Sequence, residues 1–368
     1  MKSAVPLQRY KQSSWKNRSD MDLDVVCFDY SQELDLKQFS EVYIWDLDKT
    51  YLDTKIDSFR GLMTTVFEKT LTKKNIPGAS ELIQSMSRYR KKHFNEAIFP
   101  LFFVSASPPQ MESKIKEKFE LDSIYPLRMF YKDNLKNLAP SRFLFLKKQI
   151  GYKVHALLKL RTQLSDHVKI IFFGDDSESD AIIYSLFSDI CARRFSESNL
   201  TKLLQKFGVT AIQTDEILHL QKQIQVQDPV DKIYINLATD TDPEYYLKFG
   251  RRCLATYDSF QIALDLIQDQ RLSLEELNHI QSELIQKFNF TTHMMVKSFE
   301  DLVRRRVLGI SSFEMIFNYL IEKKVISPSW KSSIEPLREK RVEDGKVYEL
   351  DGVFEPWTCT DIDYLNEY

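Results

Sequence analysis

Three short apolar runs stand out in the first half of the chain, and each is followed by polar residues. They cover residues 42–45, 100–104 and 168–173. Each run is rich in β-branched and aromatic residues and is almost continuously apolar, a pattern typical of strands that are buried on both faces. Strands of this kind belong to parallel sheets with helices packed on both sides. The runs therefore predict three central strands of a parallel sheet.

Helical periodicity separates these runs. Apolar positions recur at helical spacing over three segments, 80–92, 111–119 and 153–164. Two later apolar runs, 232–237 and 253–256, are short enough to be further strands, and we expect them at the edge of the sheet. Because strands and helices alternate, the chain is predicted to be an α/β protein with a doubly wound, Rossmann-like parallel sheet between helices.

The pattern changes again near residue 272. Ser273 is followed three residues later by Glu276, which is the spacing of a capping box, and a helical pattern continues to about residue 330. A small helical insertion is expected after the first strand, over about 55–97. The predicted organisation is a loose N-terminal arm (1–25), an α/β domain (26–271) and a helical C-terminal extension with a tail (272–368).

Composition narrows the function classes. Hydrophobic residues make up 43% of the 368-residue chain, enough for a buried core, and the formal net charge of −2 gives no field that would attract nucleic acid. The four cysteines are far apart and form neither a CxxC pair nor a Cys/His cluster, which favours a reducing compartment over a disulfide scaffold or a zinc site. No apolar segment resembles a secretory signal or is long enough to span a membrane, so we expect a cytoplasmic protein.

Polar residues follow all three predicted central strands. Asp46 and Asp48 come after the first run, and Ser105 comes after the second. Asp175 and Asp176 follow the third run. In an open α/β sheet, ligands bind beyond the carboxyl ends of the strands, so these five side chains should converge although they are far apart in sequence. Any one of them alone is most often a turn or capping residue, and their shared position after apolar runs is what favours a site.

Convergence of these residues predicts phosphoryl chemistry. Asp46, at the end of the first strand, could coordinate a cation and attack phosphorus, while Asp48 protonates the leaving oxygen. Asp175 and Asp176 would complete an oxygen-rich site that suits Mg²⁺. Ser105 could donate a hydrogen bond to a phosphoryl oxygen.

A lysine would supply the remaining positive charge of such a site. Lys153, which opens the predicted helix 153–164, is our candidate. Lys147, Lys148 and Lys159 remain alternatives for the same role.

The order of these residues resembles the four-motif signature of the haloacid dehalogenase superfamily. The motifs are Asp46-x-Asp48-x-Thr50, then Ser105, then a lysine, then Gly174-Asp175 followed by Asp180. Further segments resemble the catalytic domain of the actin-patch-protein phosphatidate phosphatases and their bacterial relatives. These segments are 76–79, 103–108, 125–128 and 174–184. The resemblance covers about residues 40–195.

The resemblance implies a role for each matched residue. Asp46 would be the nucleophile and a metal ligand. Asp48 would be the general acid and base, with its backbone carbonyl on Mg²⁺. Ser105 and Lys153 would bind the phosphoryl group, and Asp175 would be the third protein ligand of the metal.

Three further residues would support this site. Asp180 would orient Lys153 or a metal-bound water, and Thr50 and Asp176 would assist. The sequence departs from the phosphatidate phosphatase pattern at two positions, Lys49 in place of an acidic residue and Asp176 in place of serine.

The expected function is therefore Mg²⁺-dependent hydrolysis of a phosphomonoester through an aspartyl-phosphate on Asp46. The resemblance suggests phosphatidate or a related lipid phosphate, which a chain without a membrane span would meet by peripheral membrane contact. Two alternatives stay open. One is a phosphatase of a soluble metabolite such as a nucleotide or sugar phosphate, and the other is a catalytically idle module of the same fold that binds a protein partner.

Overall fold

The computed structural model describes most of the chain. The described residues are 15–31, 34–53, 74–133, 142–176, 179–238, 240–330 and 357–365, with the backbone of two short paired strands, Val342–Glu343 and Lys346–Val347. For residues 142–148 and 310 the backbone alone is described. Most of the predicted N-terminal arm and the first part of the predicted insertion 55–97 therefore lie outside the described residues.

The centre of the protein is an eight-stranded sheet. Its strands are β1 (Asp20–Asp22), β2 (Val25–Asp29), β3 (Glu41–Asp46), β4 (Leu101–Val104), β5 (Arg128–Lys132), β6 (Lys169–Asp175), β7 (Val230–Asn236) and β8 (Cys253–Thr256). The spatial order is β1-β2-β5-β4-β3-β6-β7-β8. The six strands from β5 to β8 in this order are parallel, and β2 and β1 continue the sheet antiparallel at one edge. The predicted α/β class with a parallel sheet is confirmed.

All three predicted central strands are present as β3, β4 and β6. The expectation for the two later runs is only half right, because β8 is an edge strand but β7 lies between β6 and β8. The strands β1, β2 and β5 were not predicted. Charged residues at the ends of β5, Arg128 and Lys132, shorten its apolar run to three residues.

Helices cover both faces of the sheet because side chains alternate along each strand. In β3, Val42 and Ile44 face one apolar cluster, and Tyr43 and Trp45 face the other. The first cluster is covered by α3 (Arg142–Arg161), α4 (Asp180–Cys191), α5 (Glu197–Lys206) and α6 (Ala211–Gln223). The second is covered by α1 (Ala79–Phe94), α2 (Glu112–Leu121), α7 (Ser259–Gln268), α8 (Leu274–Phe288), α9 (Thr292–Arg304) and α10 (Ile310–Glu322).

Helix α3 begins at Arg142, so the expectation that Lys153 opens a helix is wrong. The predicted segment 153–164 is only the second half of this helix. Gly151 is a poor helix former, yet the helix continues through it. A Cβ atom at Gly151 would lie 2.5 Å from Oε1 of Gln213 on α6, so the glycine allows α6 to approach α3 closely.

The helices that follow residue 272 pack onto the same sheet face as α1. Gly78, which precedes α1, has a φ of 77° and lies against Ser259 and Leu284, where an added Cβ would meet side-chain atoms at 3.0 and 3.1 Å. Leu277, Ile280 and Leu284 of α8 are fully buried. In the part of the chain that the structure describes, no helix has the length and apolar character needed to cross a bilayer.

Candidate active site

Three neighbouring strands end together at the point where the strand order changes direction. The chain moves from β3 to β4 and β5 on one side, and then crosses to β6 on the other side of β3. Asp46 is the last residue of β3, Ser105 follows β4 directly, and Asp175 is the last residue of β6. All three are at most 2% exposed. The sheet thus brings these predicted residues to one edge, which is where open α/β sheets bind ligands.

A buried lysine joins two of the acidic residues. Nζ of Lys153 lies 2.8 Å from Oδ1 of Asp46 and 2.5 Å from Oδ1 of Asp180, and the lysine is fully buried. Lys159, one of the alternatives, points elsewhere and lies 3.1 Å from Oδ2 of Asp22. The side chains of the other two alternatives, Lys147 and Lys148, lie outside the described residues.

Three carboxylates form an oxygen-rich cluster beside this lysine. Oxygen atoms of Asp46, Asp175 and Asp180 all lie within 4.8 Å of one another, and all three residues are buried. Three buried carboxylates repel one another when they are ionised, and among the described residues the ammonium group of Lys153 offsets part of that repulsion. The donor set consists of hard oxygen atoms and carries excess negative charge, so it fits a divalent ion such as Mg²⁺.

The backbone at Gly174 and Asp175 lies close to the carboxylate of Asp180. A Cβ atom at Gly174 would lie 2.5 Å from Oδ2 of Asp180, so no larger residue fits there without displacing the carboxylate. The N–H of Asp175 donates a 3.3 Å hydrogen bond to the same oxygen. Asp180 was expected to support Lys153, and the structure brings its carboxylate both to that lysine and into the acidic cluster.

The carboxylate of Asp48 faces the serines rather than the acidic cluster. Oδ2 of Asp48 accepts a 2.8 Å hydrogen bond from Oγ of Ser107 and a longer one, 3.4 Å, from Oγ of Ser105. The N–H of Ser107 donates to Oγ of Ser105 at 3.0 Å. This arrangement separates the two carboxylates of the Asp46-x-Asp48 motif, so that each has its own environment. Of the two serines, Ser107 makes the shorter hydrogen bond to Asp48.

A tight turn holds Asp48 in this position. Lys49 has a φ of 61°, and its N–H donates a 2.7 Å hydrogen bond to the carbonyl of Leu52. The carbonyl of Lys49 accepts a 3.2 Å hydrogen bond from Nδ2 of Asn236 at the end of β7. Thr50, in the same turn, is 4% exposed, and its hydroxyl has no hydrogen-bond partner among the described residues.

Asp176 lies at this edge of the sheet but outside the carboxylate cluster. Its Oδ2 accepts hydrogen bonds from the N–H of Ala238 at 2.8 Å and from Oγ1 of Thr241 at 2.5 Å. Asp176 was expected to complete the oxygen-rich site together with Asp175. In the structure its carboxylate instead accepts hydrogen bonds from the loop that follows β7. Its position directly after Asp175 gave no sign of that contact.

Tyr152 is a member of the site that sequence reasoning missed. Its hydroxyl donates a 2.8 Å hydrogen bond to the carbonyl of Ser105, and the residue is fully buried. Burial raises the pKa of this phenol well above its ordinary value, so the hydroxyl stays protonated and acts as a donor. The one feature of the sequence that could have indicated a role for Tyr152 is its position next to Lys153.

Comparison with known proteins bears on the segment that contains this site. Comparison of the whole chain with curated proteins and with solved structures gave no match. Residues 42–198, less than half of the chain, match the family described as Phosphatidate phosphatase APP1, catalytic domain. That segment contains the residues of the site described above, with two exceptions. These are Asn236 and the loop that Asp176 contacts. The match supports a hydrolase domain of the phosphatidate phosphatase type over residues 42–198.

Proposed function

We propose that this protein is a Mg²⁺-dependent phosphomonoester hydrolase of the haloacid dehalogenase type, with phosphatidate or a related lipid phosphate as its substrate. The observation that carries the proposal is the contact of the buried Lys153 ammonium with Asp46 and Asp180 at the strand-order switch. A buried cation beside a cluster of carboxylates is suited to a ligand that brings further negative charge together with a divalent ion.

Asp46 acts as the nucleophile in this proposal. One of its carboxylate oxygens attacks phosphorus, and the bond between phosphorus and the ester oxygen breaks with its electron pair on that oxygen. Lys153 lies 2.8 Å from the same carboxylate, so its charge is available to the phosphoryl oxygens during attack.

Asp48 acts as the general acid and then as the general base. In the first step it gives a proton to the leaving ester oxygen, and in the second it takes a proton from the water that attacks the aspartyl-phosphate. That second attack breaks the bond between phosphorus and Asp46, which releases inorganic phosphate and restores the carboxylate. The hydrogen bonds from Ser107 and Ser105 orient Asp48 for both transfers.

Asp46, Asp175 and Asp180, with the backbone carbonyl of Asp48, would hold the Mg²⁺ ion. When bound, the ion offsets the repulsion between the carboxylates and the phosphate. Ser105, directly after β4, would donate a hydrogen bond to a phosphoryl oxygen. Asp180, whose Oδ1 lies 2.5 Å from Nζ of Lys153, would keep that ammonium group directed at Asp46.

A substrate panel tests the proposal. Purified protein with Mg²⁺ is given a short-chain phosphatidate, the same lipid in detergent micelles, and soluble nucleotide and sugar phosphates, and released phosphate is measured. We expect the highest kcat/KM for phosphatidate, because residues 42–198 match the phosphatidate phosphatase family. A higher kcat/KM for a soluble ester would support the metabolite phosphatase instead. A protein that turns over none of these esters would contradict the proposed activity and leave the idle module as the better account.

A further inference from the structure

A second group of metal-ligand residues lies on the opposite side of α3 from Lys153. It is centred on His155, which is fully buried. Neither ring nitrogen of His155 has a hydrogen-bond partner among the described residues. Oδ2 of Asp22 lies 3.4 Å from Nε2, but the contact lacks hydrogen-bond geometry. Burying an imidazole whose nitrogens make no hydrogen bond costs free energy of folding. A ligand bound to one of these nitrogens would offset that cost.

Two carboxylates face the same imidazole. Asp22 comes from β1, His155 from α3 and Glu216 from α6, and one ligand atom from each lies within 4.8 Å of the other two. Both carboxylates are half-buried. Three elements that are distant in sequence therefore bring one nitrogen and two carboxylate oxygens close together.

We propose that Asp22, His155 and Glu216 bind a divalent transition-metal ion of the Zn²⁺ class. One imidazole and two carboxylates are three protein ligands, which leaves room for water in the remaining position. An imidazole nitrogen favours Zn²⁺ and its first-row neighbours over Mg²⁺, which prefers oxygen ligands alone. The site therefore differs in chemistry from the all-carboxylate cluster around Asp46.

The surroundings of His155 suit metal binding. Burial lowers the pKa of His155, which favours the neutral ring that coordinates a metal. Lys159 competes for Asp22 at 3.1 Å, but its side chain is 24% exposed and can turn to solvent when an ion binds. The contact between Gly151 and Gln213 holds α3 and α6 together one helical turn from these ligands.

Such an ion would link all three elements, of which α3 and β1 are already joined by the ion pair between Lys159 and Asp22. It would tie the edge strand β1 to α3 and α6. Because α3 also carries Lys153, two residues before His155, the bound ion would fix the helix that presents the lysine to Asp46.

Co²⁺ is the probe that tests the proposal, because its visible absorption reports ligand type and geometry. The full chain is titrated with Co²⁺ in the presence of excess Mg²⁺, which occupies the all-oxygen cluster. We expect one equivalent of Co²⁺ to bind with a visible band, and Zn²⁺ to displace it. An Asp175→Asn variant should keep the band, since Asp175 belongs to the other cluster.

Ligand variants decide whether these residues hold the ion. Glu216→Gln and Asp22→Asn change half-buried side chains and should fold, whereas His155→Gln alters a buried one. Loss of a residue that only hydrogen-bonds to a metal ligand typically lowers metal affinity by roughly 10–100-fold. Each of these variants removes a ligand itself, so each should lower the affinity for Co²⁺ by more than that. His167→Gln, which changes an exposed histidine, is the matched control and should bind as the wild type does.

Three results would overturn the proposal. Wild-type protein that takes up no Co²⁺ in excess Mg²⁺ has no such site. Equal affinity of Glu216→Gln and wild type would remove Glu216 and the assigned geometry. Loss of the band in Asp175→Asn would show that Co²⁺ occupies the carboxylate cluster instead. None of these results depends on phosphatase activity.

Discussion

The ammonium group of Lys153 lies 2.8 Å from Oδ1 of Asp46, although 107 residues separate them along the chain. The same nitrogen contacts Asp180, and none of the three residues is more than 1% exposed. One buried cation therefore faces two buried carboxylates, with a third, Asp175, close by. The charge balance of this cluster leads to the first predictions.

Lys153→Met should destabilise the metal-free protein strongly. The substitution keeps the volume but leaves Asp46 and Asp180 buried without their cation, which typically costs about 3–5 kcal/mol in the free energy of unfolding. Urea denaturation without Mg²⁺ measures this loss. Lys159→Met is the matched control on the same helix, where the ion pair with Asp22 is partly exposed and should be worth about 1 kcal/mol or less. Equal losses in the two variants would show that Lys153 does not compensate the buried charges.

Mg²⁺ should stabilise the folded protein by filling the carboxylate cluster. At about a hundredfold excess over its Kd, a ligand that binds only the folded state adds about 2.7 kcal/mol. Thermal melts with and without Mg²⁺ should show a rise in Tm for the wild type and none for Asp175→Ala. Asp176→Ala is the control, and it should keep most of the shift because its carboxylate contacts Ala238 and Thr241 instead. An unchanged shift in Asp175→Ala would remove that residue from the metal site.

Ca²⁺ should separate binding from catalysis at this cluster. Its oxygen ligands are the same, but its larger radius and higher coordination number would move Asp46 relative to phosphorus. We expect Ca²⁺ to raise Tm and to inhibit turnover in competition with Mg²⁺. Full activity with Ca²⁺ as the only divalent ion would contradict this view of the site.

Asp48→Asn should slow poor leaving groups more than good ones. An alkyl ester needs a proton on its leaving oxygen, whereas a nitrophenyl ester leaves readily without one, so loss of the acid should cost the alkyl ester about 10²–10⁴-fold and the nitrophenyl ester much less. The measurement is the ratio of variant to wild-type kcat for the two esters. Ser107→Ala, which removes the 2.8 Å hydrogen bond to Asp48, should shift the ratios in the same direction. Equal ratios for both esters would make Asp48 a ligand or an anchor and not the acid.

The central strands of the sheet could be predicted from the sequence, because strands that are buried on both faces must be apolar throughout. The strands β3, β4 and β6 were predicted for that reason, and the convergence of Asp46, Ser105 and their neighbours followed from the geometry of parallel sheets. The edge strand β1 was not predicted, because it is short and polar and none of its residues is buried. The next strand, β2, was missed although its first four residues are apolar and buried.

Side-chain direction was harder to predict than strand position. Asp175 and Asp176 are adjacent, yet one joins the carboxylate cluster and the other binds the loop after β7. Likewise, nothing in the spacing of His155 suggested a metal site. Its carboxylate partners come from β1 and α6, and only the packed structure brings them together.

Stability should depend on pH through Asp228. Its Oδ2 accepts hydrogen bonds from Arg252 at 2.8 Å and from Arg194 at 2.9 Å. Burial acts to raise the pKa of Asp228, but the Arg252 guanidinium and the hydrogen bonds outweigh it, so the pKa lies below its ordinary value. A lowered pKa in the folded state stabilises the protein above the unfolded pKa of about 3.9, and this contribution is lost as the pH falls through the folded pKa.

Asp228→Asn should therefore cost about 1.5–3 kcal/mol near neutral pH and progressively less below about pH 4. Urea denaturation of wild type and variant across this range gives the difference in free energy of unfolding. Asp166→Asn is the control, because this exposed aspartate accepts a hydrogen bond from the Arg161 guanidinium through its backbone carbonyl, which the substitution keeps. A difference that stays constant with pH would show that the charge of Asp228 does not carry the effect.

The turnover of Asp46→Asn tests the central claim most directly. Asparagine keeps the shape of the side chain but lacks an oxygen nucleophilic enough to attack phosphorus. Phosphate release from a short-chain phosphatidate is measured with Mg²⁺ for both proteins, and circular dichroism and thermal melts verify that the variant is folded. The account predicts that the folded variant loses at least about 10⁴-fold in kcat, as enzymes do when their nucleophile is removed. Turnover by a folded Asp46→Asn protein within a few-fold of wild type would contradict it.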